Sequence, residues 1–379
     1  MSHHSHHILV FSTSCLKNYQ PFKYDQIPLN HGKGRILVQI GDTKIVVNSM
    51  VVVDPNGGGN FTTIGEAVAA APNNTKPNTG YFGIHVVKGN YNEYVNIPMN
   101  KEYLLMIGDV INRTVIYDNH STALGSTTYE SATFVPTGFV AINMKIQNTA
   151  GPSMGQAVAL RNAANLSAFH RCSFDGYQDT LLAHAMRQFY KECDIYGTVD
   201  FIFGNAAAVF QDCNIYVRQP LKGQYNTITA QGRTDPNQNT GFSFQRCNIM
   251  ATPDLISSNF TVQTYLGRPW MEYSRTVFTE SFLDSLIDPS GWHEWNGNFA
   301  LETLYYGEYK NSGPGSNTAK RVKWSGYHVI DESIASYFTV TYLIVGEFWL
   351  PSTGIPFTEG LGAQNGQEAT TKDNIIISF

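Results

Sequence analysis

Phe169-His-Arg-Cys172-Ser-Phe174, Tyr190-Lys-Glu-Cys193-Asp-Ile195 and Phe210-Gln-Asp-Cys213-Asn-Ile215 repeat one pattern: an aromatic residue, a cysteine three residues on, and an apolar residue two further. It returns as Phe244-Gln-Arg-Cys247-Asn-Ile249 and, with isoleucine for cysteine, as Phe139-Val-Ala-Ile142-Asn-Met144. The steps between copies are 30, 21, 20 and 34 residues. Alternation within each copy marks a strand with one inward face. One such strand per turn of a coil, with loops of unequal length between, describes a parallel β-helix whose rungs bury each other's apolar faces. The competing reading is alternating strands of a sandwich. An antiparallel fold, however, has no reason to hold one residue type at one phase through five recurrences.

The composition agrees with an all-β core. Of 379 residues only 15% are charged, against 42% hydrophobic and 13% aromatic, with 33 glycines. That balance argues against disorder, a coiled coil or a long surface helix. A net charge of -5 leaves no basic footprint for nucleic acid. No apolar run reaches the ~18 residues of a membrane span. Short strand-like runs fill most of the chain, and helical periodicity is sustained only in the last fifth, read as a helical and loop segment. One early helix is expected. Thr63-Ile-Gly-Glu66 forms a capping box, Ala67 to Ala71 follows, and Pro72 stops it. Residues 1–45, with their His pairs and short apolar stretch Ile8 to Phe11, read as a poorly defined extension without a clear export signal. Residues 46–361 read as the β-helix domain and 362–379 as a polar tail.

Five cysteines, Cys15, Cys172, Cys193, Cys213 and Cys247, include no Cys-x-x-Cys pair, so zinc-ribbon and thioredoxin-type motifs are not indicated. Cys172 and Cys193 at one phase can form a disulfide or stack as an unlinked ladder of small hydrophobes; the ladder is preferred. Six Asn-x-Ser/Thr sequons, at Asn60, Asn73, Asn112, Asn119, Asn165 and Asn259, suit a secreted glycoprotein.

The same phase argument places two acids together. Asp179 and Asp200 each lie seven residues beyond a repeat cysteine. Stacked in register, they stand roughly 4.7–4.9 Å apart between Cα atoms. Two carboxyl groups that close cannot both ionise cheaply, so one pKa rises and the pair titrates as a unit. One proton donor and one anionic nucleophile result.

Polar, Gly-rich segments surround this pair: Gly89-Asn-Tyr-Asn-Glu93, Gln156-Ala-Val-Ala-Leu160, Tyr177-Gln-Asp-Thr-Leu181, Asp200-Phe-Ile-Phe-Gly204 and Leu266-Gly-Arg-Pro-Trp270. In this order they resemble the plant pectin methylesterases (pectinesterases), over roughly residues 50–361. The resemblance implies a right-handed parallel β-helix and a carboxylic ester hydrolase that removes methyl esters from homogalacturonan with release of methanol. It assigns Asp200 as nucleophile, Asp179 as general acid and then base, and Gln156 and Gln178 as amide donors to the tetrahedral oxyanion. Arg268 falls where the family arginine pairs with the nucleophile. Thr128, Phe203, Trp270 and Trp292, together with Gln156 and Arg268, fall on substrate-binding positions. Tyr91 and Glu93 are read as structural. The resemblance further implies no cofactor and no metal, pectin as partner with a proteinaceous inhibitor as a second one, a monomer, and secretion to the cell wall. It matches the short type without an inhibitor-like pro-region. Leu182, Gly155 and Met271 depart from the Tyr, His and Lys frequent in the family. A catalytically silent pectin-binding protein on the same fold is the alternative.

Overall fold

The computed structural model describes residues 36–40, 43–77, 79–130, 133–362 and 376–378. The His-rich start and Cys15 lie outside them. Three sheets of thirteen, eight and six strands run side by side, and six successive coils, from Leu104–Gly108 to Thr264–Gly267, contribute one strand to each. One coil passes from Ser167–His170 in the large sheet to Ser173–Asp175, then Leu181–Ala183, and returns to the large sheet at Arg187–Lys191. Nearly all pairings are parallel. The exceptions are Ile36–Ile40, antiparallel to Thr43–Val53, and Ile376–Ser378, antiparallel to Ile36–Ile40. The fold is a parallel β-helix. Strand structure begins before residue 46 and recurs after 362, so the described residues 36–40 and 43–45 of the expected extension and 376–378 of the expected tail take part in the sheet.

The repeat is the interior of this coil. Phe169, Tyr190, Phe210, Phe244 and Phe278 occupy one register column. Their rings stack at centroid distances of 5.2, 4.7, 4.6 and 4.5 Å, within 10° of parallel. Offset stacking adds about 0.5–1.5 kcal/mol per pair beyond area burial. The buried Tyr190 hydroxyl donates to Gln188 Oε1 at 2.7 Å and accepts from Asn162 Nδ2 at 3.1 Å. The column extends one coil beyond the five copies, through Phe278-x-x-Ser281-x-Leu283. It also begins one coil later than expected. Ala141, not Phe139, lies opposite Phe169, and Ile146 lies opposite Phe174. Phe139 remains buried with its ring 5.7 Å from that of Phe169, because alanine in the column leaves room for it.

Cys172, Cys193, Cys213 and Cys247 are buried and unlinked. Each thiol donates to a carbonyl of the preceding coil, those of Ala141, Phe169, Tyr190 and Phe210, at 3.3–3.5 Å. The residue before each cysteine turns the corner with positive φ: Arg171, Glu192, Asp212 and Arg246, at 51–55°. Their side chains pair along the edge, Arg171 to Glu192 and Arg246 to Asp212, both at 2.9 Å.

The expected helix forms at Ile64–Ala70 with its Thr63–Glu66 capping box. Glu93 accepts the Ile64 and Gly65 N–H groups, both at 3.0 Å, and the Tyr91 hydroxyl donates to Val87 C=O at 2.8 Å. Both residues are structural. The C-terminal segment carries short helices such as Val340–Ile344. Its Val340, Leu343, Ile344, Trp349 and Leu350 cluster with Phe189 and Val209 of the large sheet.

Candidate active site

Asp179 and Asp200 each precede a strand of the six-stranded sheet, Leu181–Ala183 and Ile202–Gly204. Leu181 pairs with Ile202, so the two aspartates hold equivalent positions on consecutive rungs, and the Asp179 N–H donates to the Val199 C=O at 3.0 Å. Both turn the corner with left-handed backbone, φ 62° and 51°. Asp tolerates that region better than most residues, and the turn lifts each side chain out of the strand's alternation. Both residues are buried, 8% and 6% exposed, so their charges interact with little water between them.

The surroundings separate the two. Arg268 meets Asp200 with both prongs of its fork, Nε to Oδ1 at 2.8 Å and Nη2 to Oδ2 at 2.6 Å. Thr227 Oγ1 also donates to Oδ1, at 2.6 Å. The third guanidinium nitrogen, Nη1, donates to the Tyr225 hydroxyl at 2.8 Å, and the Trp295 ring lies 4.4 Å from the guanidinium carbon. Burial works against the Arg268 charge, but the hydrogen bond and charge of Asp200 outweigh it and raise the Arg268 pKa. Asp179 lacks such a grip. Burial first, and the Asp200 charge second, push its carboxyl well above the usual aspartate range, with Arg268 opposing. The site therefore presents a carboxyl biased towards its protonated form beside one held by an arginine.

Gln156 and Gln178 lie on adjacent coils, half-buried, and the Ala157 N–H donates to the Gln178 C=O at 3.2 Å. Thr122 Oγ1 donates to Gln156 Oε1 at 2.9 Å, which leaves the NH2 end of that amide as the donor. Phe203, Leu182, Val158 and Ala230 form a small apolar cluster on the outer face of the sheet, with Trp270 packed on it. Trp270 meets Phe203 edge to face at 5.9 Å. Gly232 makes room for the indole, since a Cβ there would sit 2.7 Å from it. Leu182 is fully buried beneath this floor. Thr128 is half-buried on a loop whose Tyr129 ring packs 5.3 Å from His184.

Trp292 is the correction. It is 1% exposed and belongs to the interior, stacked on Tyr306 at 4.0 Å with its Nε1 3.4 Å from Glu308 Oε1, so it cannot meet a sugar. The tryptophan near the acids is Trp295, three residues on in the same Gly-Trp-x-x-Trp segment and 37% exposed. Tyr225 and Thr227 were also missed. Thr227 was findable, because it sits in the Asp179–Asp200 column one coil further on, as the pairing of Ile202 with Thr229 requires. Among the described residues no group of three or more His, Cys, Asp or Glu is placed to hold a metal ion.

The family model for pectinesterase matches residues 50–347. A probable pectinesterase/pectinesterase inhibitor 20 of Arabidopsis thaliana is 58% identical over 329 residues, covering 86% of this chain and 59% of its own length. Pectinesterase 2 of Citrus sinensis is 53% identical over 330 residues, covering 86% of this chain and 64% of its own length. The chain thus spans less than two thirds of these curated relatives. Among solved structures, a pectin methylesterase from carrot superposes with a TM-score of 0.80 at 49% identity, covering 82% of this chain and 98% of its own. A family match over residues 50–347, with relatives above half identity, leads to one assignment: the chain belongs to the pectinesterase family.

Proposed function

We propose that this chain is a carboxylic ester hydrolase that removes methyl esters from homogalacturonan, the pectin backbone, and releases methanol. One observation carries the reading: two buried aspartates on successive rungs, of which only Asp200 is held by an arginine. The Asp200 carboxylate attacks the C6 carbonyl carbon of a methylated galacturonate, and the π pair moves onto the carbonyl oxygen. Gln156 and Gln178 donate N–H groups to that oxyanion. The intermediate collapses and expels methoxide, which takes the Asp179 proton and leaves as methanol. An acyl anhydride with Asp200 remains. The Asp179 carboxylate then takes a proton from water, hydroxide adds to C6, and the Asp200 carboxylate leaves. Asp179 has regained its proton, and the ester plus water has become acid plus methanol.

Trp270 over Phe203 offers the flat apolar surface a sugar ring needs, and Thr128 serves as a further contact. The carrot protein is named for activity on pectin, and that substrate is carried to this chain as part of the proposal. A proteinaceous inhibitor, a monomeric state, no requirement for a cofactor and secretion to the cell wall belong to the same reading. Exposed sequon residues Asn60, Asn73, Asn112 and Asn119 support an exported glycoprotein. None of the described helices is long and apolar enough to cross a membrane. Methanol release from methylated pectin tests the reading. Release by the wild-type chain and its loss in Asp200→Ala are expected. Chain shortening or unsaturated products in place of methanol would overturn it.

A further inference from the structure

Asp200 is bound by more than its arginine. Its own N–H donates to Thr227 Oγ1 at 2.9 Å, and the same hydroxyl donates back to Asp200 Oδ1 at 2.6 Å. Because the hydroxyl oxygen is engaged by the amide, its hydrogen is aimed at the carboxylate. Thr227 is fully buried, and its own N–H is anchored to the Thr198 C=O at 3.2 Å, so the hydroxyl has a fixed base. The two carboxylate oxygens are consequently unequal. Oδ1 accepts two hydrogen bonds, from Thr227 Oγ1 and Arg268 Nε, whereas Oδ2 accepts one, from Arg268 Nη2. A carboxylate oxygen has two in-plane lone pairs.

We propose that Thr227 is a positioning residue: together with Arg268 Nε it fills both lone pairs of Oδ1 and leaves Oδ2 as the atom that attacks the ester. This rests on the esterase reading above and adds to it which oxygen reacts and what selects it. The Oδ2 lone pair forms the new bond to C6, the carbonyl π pair moves to the carbonyl oxygen, and methoxide leaves with the proton of Asp179. Oδ1 keeps both of its donors throughout and becomes the carbonyl oxygen of the anhydride. Without the hydroxyl, Oδ1 has a lone pair open, the carboxylate can turn on its Cβ–Cγ bond, and fewer encounters present Oδ2 along the line of attack.

The test uses the full chain with methylated pectin and three forms: wild type, Thr227→Val, which removes the hydroxyl at constant shape, and Thr227→Ser, which keeps it. The expected result is a kcat about tenfold lower for the valine variant, as loss of one hydrogen bond to a charged group implies, with KM within about twofold. The serine variant recovers most of the lost kcat. Should the valine variant fold poorly, Thr227→Ala against Thr227→Ser is read the same way. Equal kcat with and without the hydroxyl, or a loss confined to KM, overturns the assignment. A wild-type chain that releases no methanol overturns the esterase reading itself, so the two failures are told apart.

Discussion

Asp179 and Asp200 hold equivalent positions on consecutive coils, yet only Asp200 is gripped by Arg268, through contacts of 2.8 and 2.6 Å. One backbone geometry thus supplies two chemically different carboxyl groups. The difference comes from two side chains of later coils, Arg268 and Thr227, which reach Asp200 and not Asp179.

The proton on Asp179 makes stability depend on pH. Burial first, then the Asp200 charge, raise its pKa well above the ordinary 3.8, while in the unfolded chain it ionises near that value. Between the two values the folded state holds a proton that the unfolded state lacks. The contribution of this group is therefore full below the ordinary value and is lost as pH rises through the folded pKa. Asp179→Asn removes the titration. Urea midpoints at about pH 4 and about pH 7 should show the variant gaining on wild type at the higher pH.

Arginine 268 works through its fork, so charge alone does not replace it. Arg268→Lys should lower kcat about a hundredfold on methylated pectin while leaving the circular dichroism spectrum unchanged. Arg268→Ala leaves the Asp200 carboxylate buried without its cation and should cost about 3–5 kcal/mol in chemical denaturation.

The two tryptophans of the Gly-Trp-x-x-Trp segment should behave oppositely. Trp292→Ala empties a core site and should destabilise by about 3–5 kcal/mol. Trp295→Ala, at a residue 37% exposed over the Arg268 guanidinium, should leave stability within about 0.5 kcal/mol and lower kcat/KM several-fold. Denaturation curves and methanol release on the same preparations separate the two roles.

A buried ion pair lies beneath Trp292. Arg321 contacts Glu308 through Nε at 2.8 Å and Nη2 at 3.0 Å, with both residues 2% exposed, and the Tyr327 hydroxyl donates to the same carboxylate at 3.1 Å. Arg321→Met strands that carboxylate and should cost about 3–5 kcal/mol; adding Glu308→Gln should restore part of the loss. Additive penalties in the double variant would contradict the pairing.

The coil and the acid pair were legible because strict stacking turns sequence phase into spatial proximity. The aromatic-x-x-Cys unit gave the column, and an offset of seven residues from it placed both aspartates. Phase was less informative at Phe139, since alternation marks an inward face but not which of two inward positions a ring fills. Trp292 and Trp295 sit in an irregular loop, where no period separates inside from outside. Thr227 carries a common strand residue type, and only its place in the Asp179–Asp200 column sets it apart. The short Cys172–Cys193 spacing could not decide between a bond and a ladder; the backbone carbonyls that accept each thiol account for the ladder.

Infrared difference spectra over a pH series upward from about pH 4, taken between the wild-type chain and each aspartate variant, read the proton directly. A protonated-carboxyl carbonyl band should outlast the ordinary aspartate range in wild type, vanish in Asp179→Asn, and remain in Asp200→Asn with a lowered titration point, since burial still raises the Asp179 pKa while the Asp200 charge no longer adds to it. A wild-type spectrum in which neither variant removes such a band, or one in which Asp200→Asn alone removes it, would contradict the division of acid and nucleophile between the two rungs.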